Sequence, residues 1–140
     1  MSEMAIDGRN HDPLRLRELL HRAENLAARH ALSSVVVGMA GPEGDLNFPA
    51  VVDYLESALR VDDAIFRMTR ERAVLVLADV DRQRAEEIVS RLLSGFAEQV
   101  AQVGAPEIDL GYFEITPQHK HLTVKEVLPL VFGVTPVSEN

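Results

Sequence analysis

Between Asp63 and Ala78 the chain carries two apolar runs, Ala64–Met68 and Ala73–Ala78, separated by four polar residues, Thr69-Arg70-Glu71-Arg72. Runs this rich in Ile, Phe, Val and Leu, joined by so short a polar bridge, read as a β-hairpin with a charged tip. A two-stranded hairpin is marginal by itself in water, so the rest of the chain must pack on it.

Upstream, Asp12-Pro13 has the form of a helix start, with Asp as cap and Pro at the first helical position. Leu14, Leu19, Leu20, Ala23, Leu26, Ala27 and Ala31 follow at helical spacing to about His30. Leu16 falls off that stripe, which predicts an apolar surface wider than one face, open to a partner helix. Ser34–Met39 contains Val35-Val36-Val37, a β-branched run apolar on both sides, the pattern of a central strand. After the turn-rich Ala40–Asp45, Phe48–Leu59 reads as a second helix starting at Asn47 or Pro49, with Val51, Val52, Leu55, Ala58 and Leu59 inward.

Downstream, Asp79-Val80-Asp81 precedes a third helix over Arg82–Val103, closed by Gly104-Ala105-Pro106. Glu107–Ile115 alternates as a strand, Thr116–His121 is a loop, and Val124–Phe132 is a short last helix. The order is α, then βαββαβ, then α: an α+β fold with a ferredoxin-like sheet, two helices on one face, and extra N-terminal and C-terminal helices. Right-handed crossovers predict that the first strand and the hairpin's first strand lie side by side. Residues 1–11 read as a loose leader, 12–132 as one domain and 133–140 as a tail.

The 140 residues suit one core. A net charge of -8, from 22 acids against 14 bases, argues against nucleic acid as a partner. The absence of cysteine excludes disulfides and thiolate metal sites. No apolar run approaches the ~20 residues that span a bilayer, and the N-terminus lacks the basic start and apolar core of a signal peptide. The expectation is a cytoplasmic protein that neither enters a membrane nor carries a cofactor.

The topology with its charged tip resembles the GGDEF domain of diguanylate cyclases, bacterial enzymes that join two GTP molecules into cyclic di-GMP. Asp12-Pro13-Leu14 is similar to the opening of the family's first helix. Asp63-x-x-x-Arg67 is similar to the segment before its signature, and Val74–Leu77 to the strand after it. Ala85–Leu93 and Ile108–Tyr112 follow the family's next helix and late strand. The signature Gly-Gly-Asp/Glu-Glu-Phe falls on Thr69-Arg70-Glu71-Arg72-Ala73.

Only Glu71 keeps an acid there. Thr69 and Arg70 replace glycines against which a nucleotide would lie, and Arg72 reverses a charge. The family's first strand ends in a Mg²⁺-binding Asp, whereas Val37-Gly38-Met39-Ala40 holds no acid. Two-metal phosphoryl transfer needs converging carboxylates. The resemblance therefore implies a degenerate domain that is not an enzyme and holds no catalytic metal.

It also implies a ligand site. Arg60-Val61-Asp62-Asp63 is the Arg-x-x-Asp of the family's inhibitory site, where cyclic di-GMP binds, and Arg91 falls where a second arginine commonly completes it. A guanidinium forks onto phosphate or guanine O6/N7, and a carboxylate accepts from guanine N1–H and N2–H. The competing reading of Arg60 and Asp63 is a helix cap and surface ion pair. Arg67 belongs either to the same surface or to the strand alone.

Two function classes follow: a cyclic di-GMP receptor using Arg60, Asp63 and Arg91, or an interaction module that binds no nucleotide. The module would meet a protein partner or a second copy through the N-terminal helix, or an acidic partner through the tip. Asp79-Val80-Asp81 reads as a helix cap before a metal pair, and His119-Lys120-His121 as solvated loop histidines before half a metal site.

Overall fold

The computed structural model describes residues 13–100 and 107–133. The leader, Asp12, Gly104-Ala105-Pro106 and the tail from 134 onward lie outside the described residues, as does the expected helical stretch 101–103. The elements are α1 (Pro13–His30), β1 (Ser34–Ala40), α2 (Phe48–Ala58), β2 (Ala64–Arg67), β3 (Arg72–Ala78), α3 (Arg82–Gln99), β4 (Asp109–Ile115) and α4 (Val124–Val131). No described helix is long and apolar enough to cross a membrane.

The four strands form one antiparallel sheet in the order β2-β3-β1-β4. The side-by-side placement of β1 and β2 is therefore incorrect. β3 lies between them, with Ser34 opposite Ala78 and Ala40 opposite Arg72. The crossover through α2 leaves a slot one strand wide, and the hairpin folds its second strand back into that slot. β3 thereby has ladder partners on both sides. Its residues from Ala73 to Ala78 are all buried, as a strand apolar on every residue requires.

Alternation sorts the sheet's side chains to two faces. Val35, Val37, Met39, Leu75 and Leu77 meet Val51, Val52 and Leu55 of α2 and Ala85, Val89 and Phe96 of α3. Val36, Val74, Val76 and Ile115 meet Leu16, Leu19, Leu20, Ala23 and Ala27 of α1 and Val127 and Val131 of α4. The sheet is thus a middle layer between two helical ones.

The N-terminal stripe differs from its expected course. Leu16 is buried, while Leu14 is 58% exposed. The wide apolar surface of α1 is largely covered by the chain's own sheet and by α4. Ala58, expected inward on α2, is exposed.

Local chemistry sets the helix ends. The Asp81 side chain accepts from the Arg84 N–H at 2.8 Å, capping α3. Thr123 and Glu126 cap each other's backbone at the start of α4. Asn47 precedes α2 without a side-chain cap, and Pro49 fixes the first turn.

Candidate functional site

The root of the hairpin is built by the turn between α2 and β2. α2 ends at Ala58, Leu59 leaves in extended conformation, and the Asp63 N–H returns to the Arg60 carbonyl at 3.0 Å. That tight turn brings Arg60 and Asp63 together. Arg60 Nε donates to Asp63 Oδ2 at 2.8 Å and Nη2 donates to Oδ1 at 2.9 Å, a forked pair. Nη2 also donates to the Ala78 carbonyl at 2.6 Å, and the Ala78 N–H donates to Asp63 Oδ1 at 3.0 Å.

The Arg60–Asp63 pair therefore clips the last residue of β3. The Asp63 side chain is 2% exposed and that of Arg60 is 53% exposed. The hydrogen bond to Asp63 raises the Arg60 pKa above its ordinary value, against the opposing effect of burial. Of the five guanidinium N–H groups, Nε–H and both on Nη2 are engaged; the two on Nη1 have no partner among the described residues. Beside the pair lies a cavity of about 190 Å³ lined also by Arg15, Glu56, Leu59, Ala64 and Ile65.

Arg91 stands exposed on α3 and does not line this cavity. Arg67 turns elsewhere, with Nη2 reaching Asp53 Oδ1 at 2.8 Å and Glu56 Oε1 at 2.7 Å on α2. Burial works against its charge, and the bonds to Glu56 and Asp53 more than offset this, leaving its pKa raised. Arg67 is thus a strand residue tying β2 to α2.

The tip is braced by its neighbours. The Glu71 carboxylate accepts from the Gly44 N–H at 3.2 Å, and the Glu71 carbonyl accepts from the Gly41 N–H at 2.8 Å. The Arg72 guanidinium lies over the Phe132 ring, 5.1 Å from its centroid. Ala73 is buried, whereas Thr69 and Arg70 are exposed. Arg67, Thr69, Arg70 and Arg72 line a 340 Å³ pocket with Phe48, Pro49 and Val52.

Among the described residues no group of three or more His, Asp or Glu side chains is placed to hold a metal. Asp79 is exposed while Asp81 caps α3. His119 Nδ1 accepts from the Thr116 N–H at 3.1 Å, and its ring packs on Phe113.

Sequence reading brought Arg60 and Asp63 together and missed Ala78. Its part is played by backbone atoms fifteen residues from Asp63, for which no side-chain signal exists.

A family model described as Diguanylate cyclase, GGDEF domain matches residues 41–128. The match spans more than half of the chain, which belongs to the GGDEF family. It begins after β1, so Asp12-Pro13-Leu14 and the first strand lie outside it.

Solved structures share the fold over most of the chain. PelD of Pseudomonas aeruginosa superposes with a TM-score of 0.67 at 18% identity, covering 84% of this chain and 43% of that one. The FimX GGDEF domain from the same organism gives 0.65 at 9%, covering 86% and 83%. The GGDEF domain of DgcB from Caulobacter crescentus, solved in complex with cyclic di-GMP, gives 0.63 at 12%, covering 77% and 72%. The chain thus spans less than half of the PelD chain it matches. Among curated proteins, none matches.

Proposed function

We propose that this domain reads cyclic di-GMP rather than making it, as a cytoplasmic signalling receptor, with Arg60 as the recognition residue. The observation that carries the reading is the state of the Arg60 guanidinium. Three of its N–H groups are fixed on Asp63 and Ala78, and the two on Nη1 have no partner among the described residues, on a side chain 53% exposed. A guanidinium held this way loses little freedom on forming a further bond to phosphate or guanine. Asp63, buried beneath it, acts as the positioning residue rather than as a direct acceptor for guanine. Arg91 supplies a second exposed cation from α3. DgcB, of the same fold, was solved with this ligand.

The charge pattern at the other end of the hairpin supports the non-catalytic half of the proposal. The register sets Ala40 opposite Arg72, where carboxylates would have to converge on metal ions. Glu71, the remaining acid of the signature, is turned to Gly44.

Calorimetry with cyclic di-GMP tests the receptor reading. Saturable heat is expected from the unaltered chain. Arg60→Lys keeps a positive charge beside Asp63 but removes the fork, and should weaken binding by about 1.5–3 kcal/mol. No heat at high micromolar ligand, or full affinity in Arg60→Lys, overturns Arg60 as the reader. Turnover of GTP with Mg²⁺ or Mn²⁺ overturns the non-catalytic half.

The second reading, an interaction module without nucleotide, is favoured by one observation: both oxygens of Asp63 are already engaged within the chain. With its apolar stripe on the sheet, α1 would meet such a partner or a second copy through its outer, polar side.

A further inference from the structure

The outer side of α1 and the segment from His119 to Lys125 form the two walls of an open groove of about 1180 Å³. Arg17, His21 and Arg22 stand on the helical wall, and Lys120, His121 and Lys125 on the other. Two acids share the groove, Glu18 and Glu24. Glu24 accepts a hydrogen bond from the Leu122 N–H, which ties the two walls together. Glu18 faces Arg15 at 3.8 Å. Arg22 donates to the Asp62 carbonyl, a neutral acceptor. Arg17, Lys120 and Lys125 have no hydrogen-bond or ion-pair partner among the described residues.

This placement gathers both lysines of the chain and Arg17 in one groove. The chain carries a net charge of -8, and Arg60, Arg67, Arg82 and Arg84 each pair with an acid. In the groove, cations without acid partners line one open space, so an anion that enters is attracted by several of them at once. From Arg17 to Ala28 the helical wall runs about 16 Å at 1.5 Å per residue. That is too long for one phosphate group and suits several anionic groups in a row. Leu122 and Val124 add apolar surface between the charges. A phosphodiester strand carries a charge at every residue, so the field of an acidic protein opposes it more than it opposes a peptide with a few carboxylates, and it brings no aliphatic side chains to set against Leu122 and Val124. A short peptide docked inside the groove lies within a Debye length of the cations, where their local attraction dominates.

We propose that this groove docks an acidic segment of a protein partner, its carboxylates on Arg17, Lys120 and Lys125 and its apolar side chains against Leu122 and Val124. The groove touches the hairpin root through Arg22 but shares no lining residue with the cavity beside Arg60 and Asp63, and the proposal does not rest on nucleotide binding there.

The test is fluorescence anisotropy of a fluorescein-labelled peptide of alternating glutamates and leucines, titrated with the full chain at low and high salt. Saturable binding that weakens with salt is expected. Reversing both lysines, Lys120→Glu with Lys125→Glu, should weaken it about tenfold or more. Arg70→Glu, at the hairpin tip, should leave it unchanged. Both lysines are exposed, so the melting curve should hold; Arg17→Glu is the second variant should it not. The proposal is overturned if the peptide fails to saturate, or if its glutamine analogue binds equally well. It is also overturned if the reversed variants bind as the unaltered chain does. Tighter binding of single-stranded DNA or phosphatidylserine vesicles, lost in the same variants, would assign the groove to another anion and overturn it too.

Discussion

Gly38 of β1 and Gly111 of β4 sit opposite each other in the sheet, and the Val131 carbonyl at the end of α4 lies over both. A Cβ at Gly38 would stand 2.5 Å from that oxygen, and one at Gly111 closer still. The paired glycines thus let the backbone of α4 approach the sheet directly. Gly111→Ala should destabilise the fold by about 1–3 kcal/mol through overpacking. Urea denaturation would show it as a lower midpoint with unchanged slope; an unchanged midpoint would mean that α4 shifts without cost.

The clip at the hairpin root should matter to stability as well as to recognition. Asp63→Ala removes the acceptor of the Ala78 N–H and the partner of Arg60 at a side chain 2% exposed. A loss of about 1–3 kcal/mol is expected, with faster hydrogen exchange at the Ala78 amide. Arg60→Lys, at a half-exposed position, should cost under about 1 kcal/mol. Equal costs for the two would contradict the assignment of Asp63 as the anchor.

The start of α4 rests on a reciprocal cap. The Thr123 hydroxyl accepts from the Glu126 N–H at 3.1 Å, and the Glu126 carboxylate accepts from the Thr123 N–H at 3.1 Å. Thr123→Ala should lower stability by about 0.5–2 kcal/mol. A melting curve identical to that of the unaltered chain would show that packing on the sheet alone holds the helix.

Tyr112 gives a pH dependence. Burial raises its phenol pKa above 10.0, helped by Glu86 and opposed by Arg82, whose guanidinium lies over the ring. The folded state therefore holds this proton more tightly than the unfolded one. Its contribution to stability is present below pH 10 and is lost as the pH rises through the folded value. Tyr112→Phe should lose less stability than the unaltered chain between pH 8 and about pH 11. Parallel losses in urea melts at the two pH values would contradict the shift.

Much of the fold is legible along the chain because its cues are local. The two apolar runs around Thr69–Arg72, the β-branched Val35–Val37 and the stripe of α3 show their period within a few residues, and Asp81 announces its helix directly. Leu16 and Leu14 show where period stops deciding. Both are leucines near the start of one helix, and their burial depends on where the sheet lies beneath it. The candidate site was half legible, since Arg60 and Asp63 are three residues apart while Ala78 and the exposed Arg91 come from other elements.

The sequence by itself determined the order of elements, the cap at Asp81, the reversed charge at Arg72 and the proximity of Arg60 to Asp63. All of these follow from short-range sterics, hydrogen bonding and residue identity. Only the tertiary structure decided that β3 enters between β1 and β2, that Asp63 is buried against Ala78, and that Arg17, Lys120 and Lys125 line one groove. Those outcomes join residues far apart in the chain, such as Glu24 and Leu122. They are set by which surfaces must leave water together and which backbone groups then need partners, and neither is written in any local run of residues.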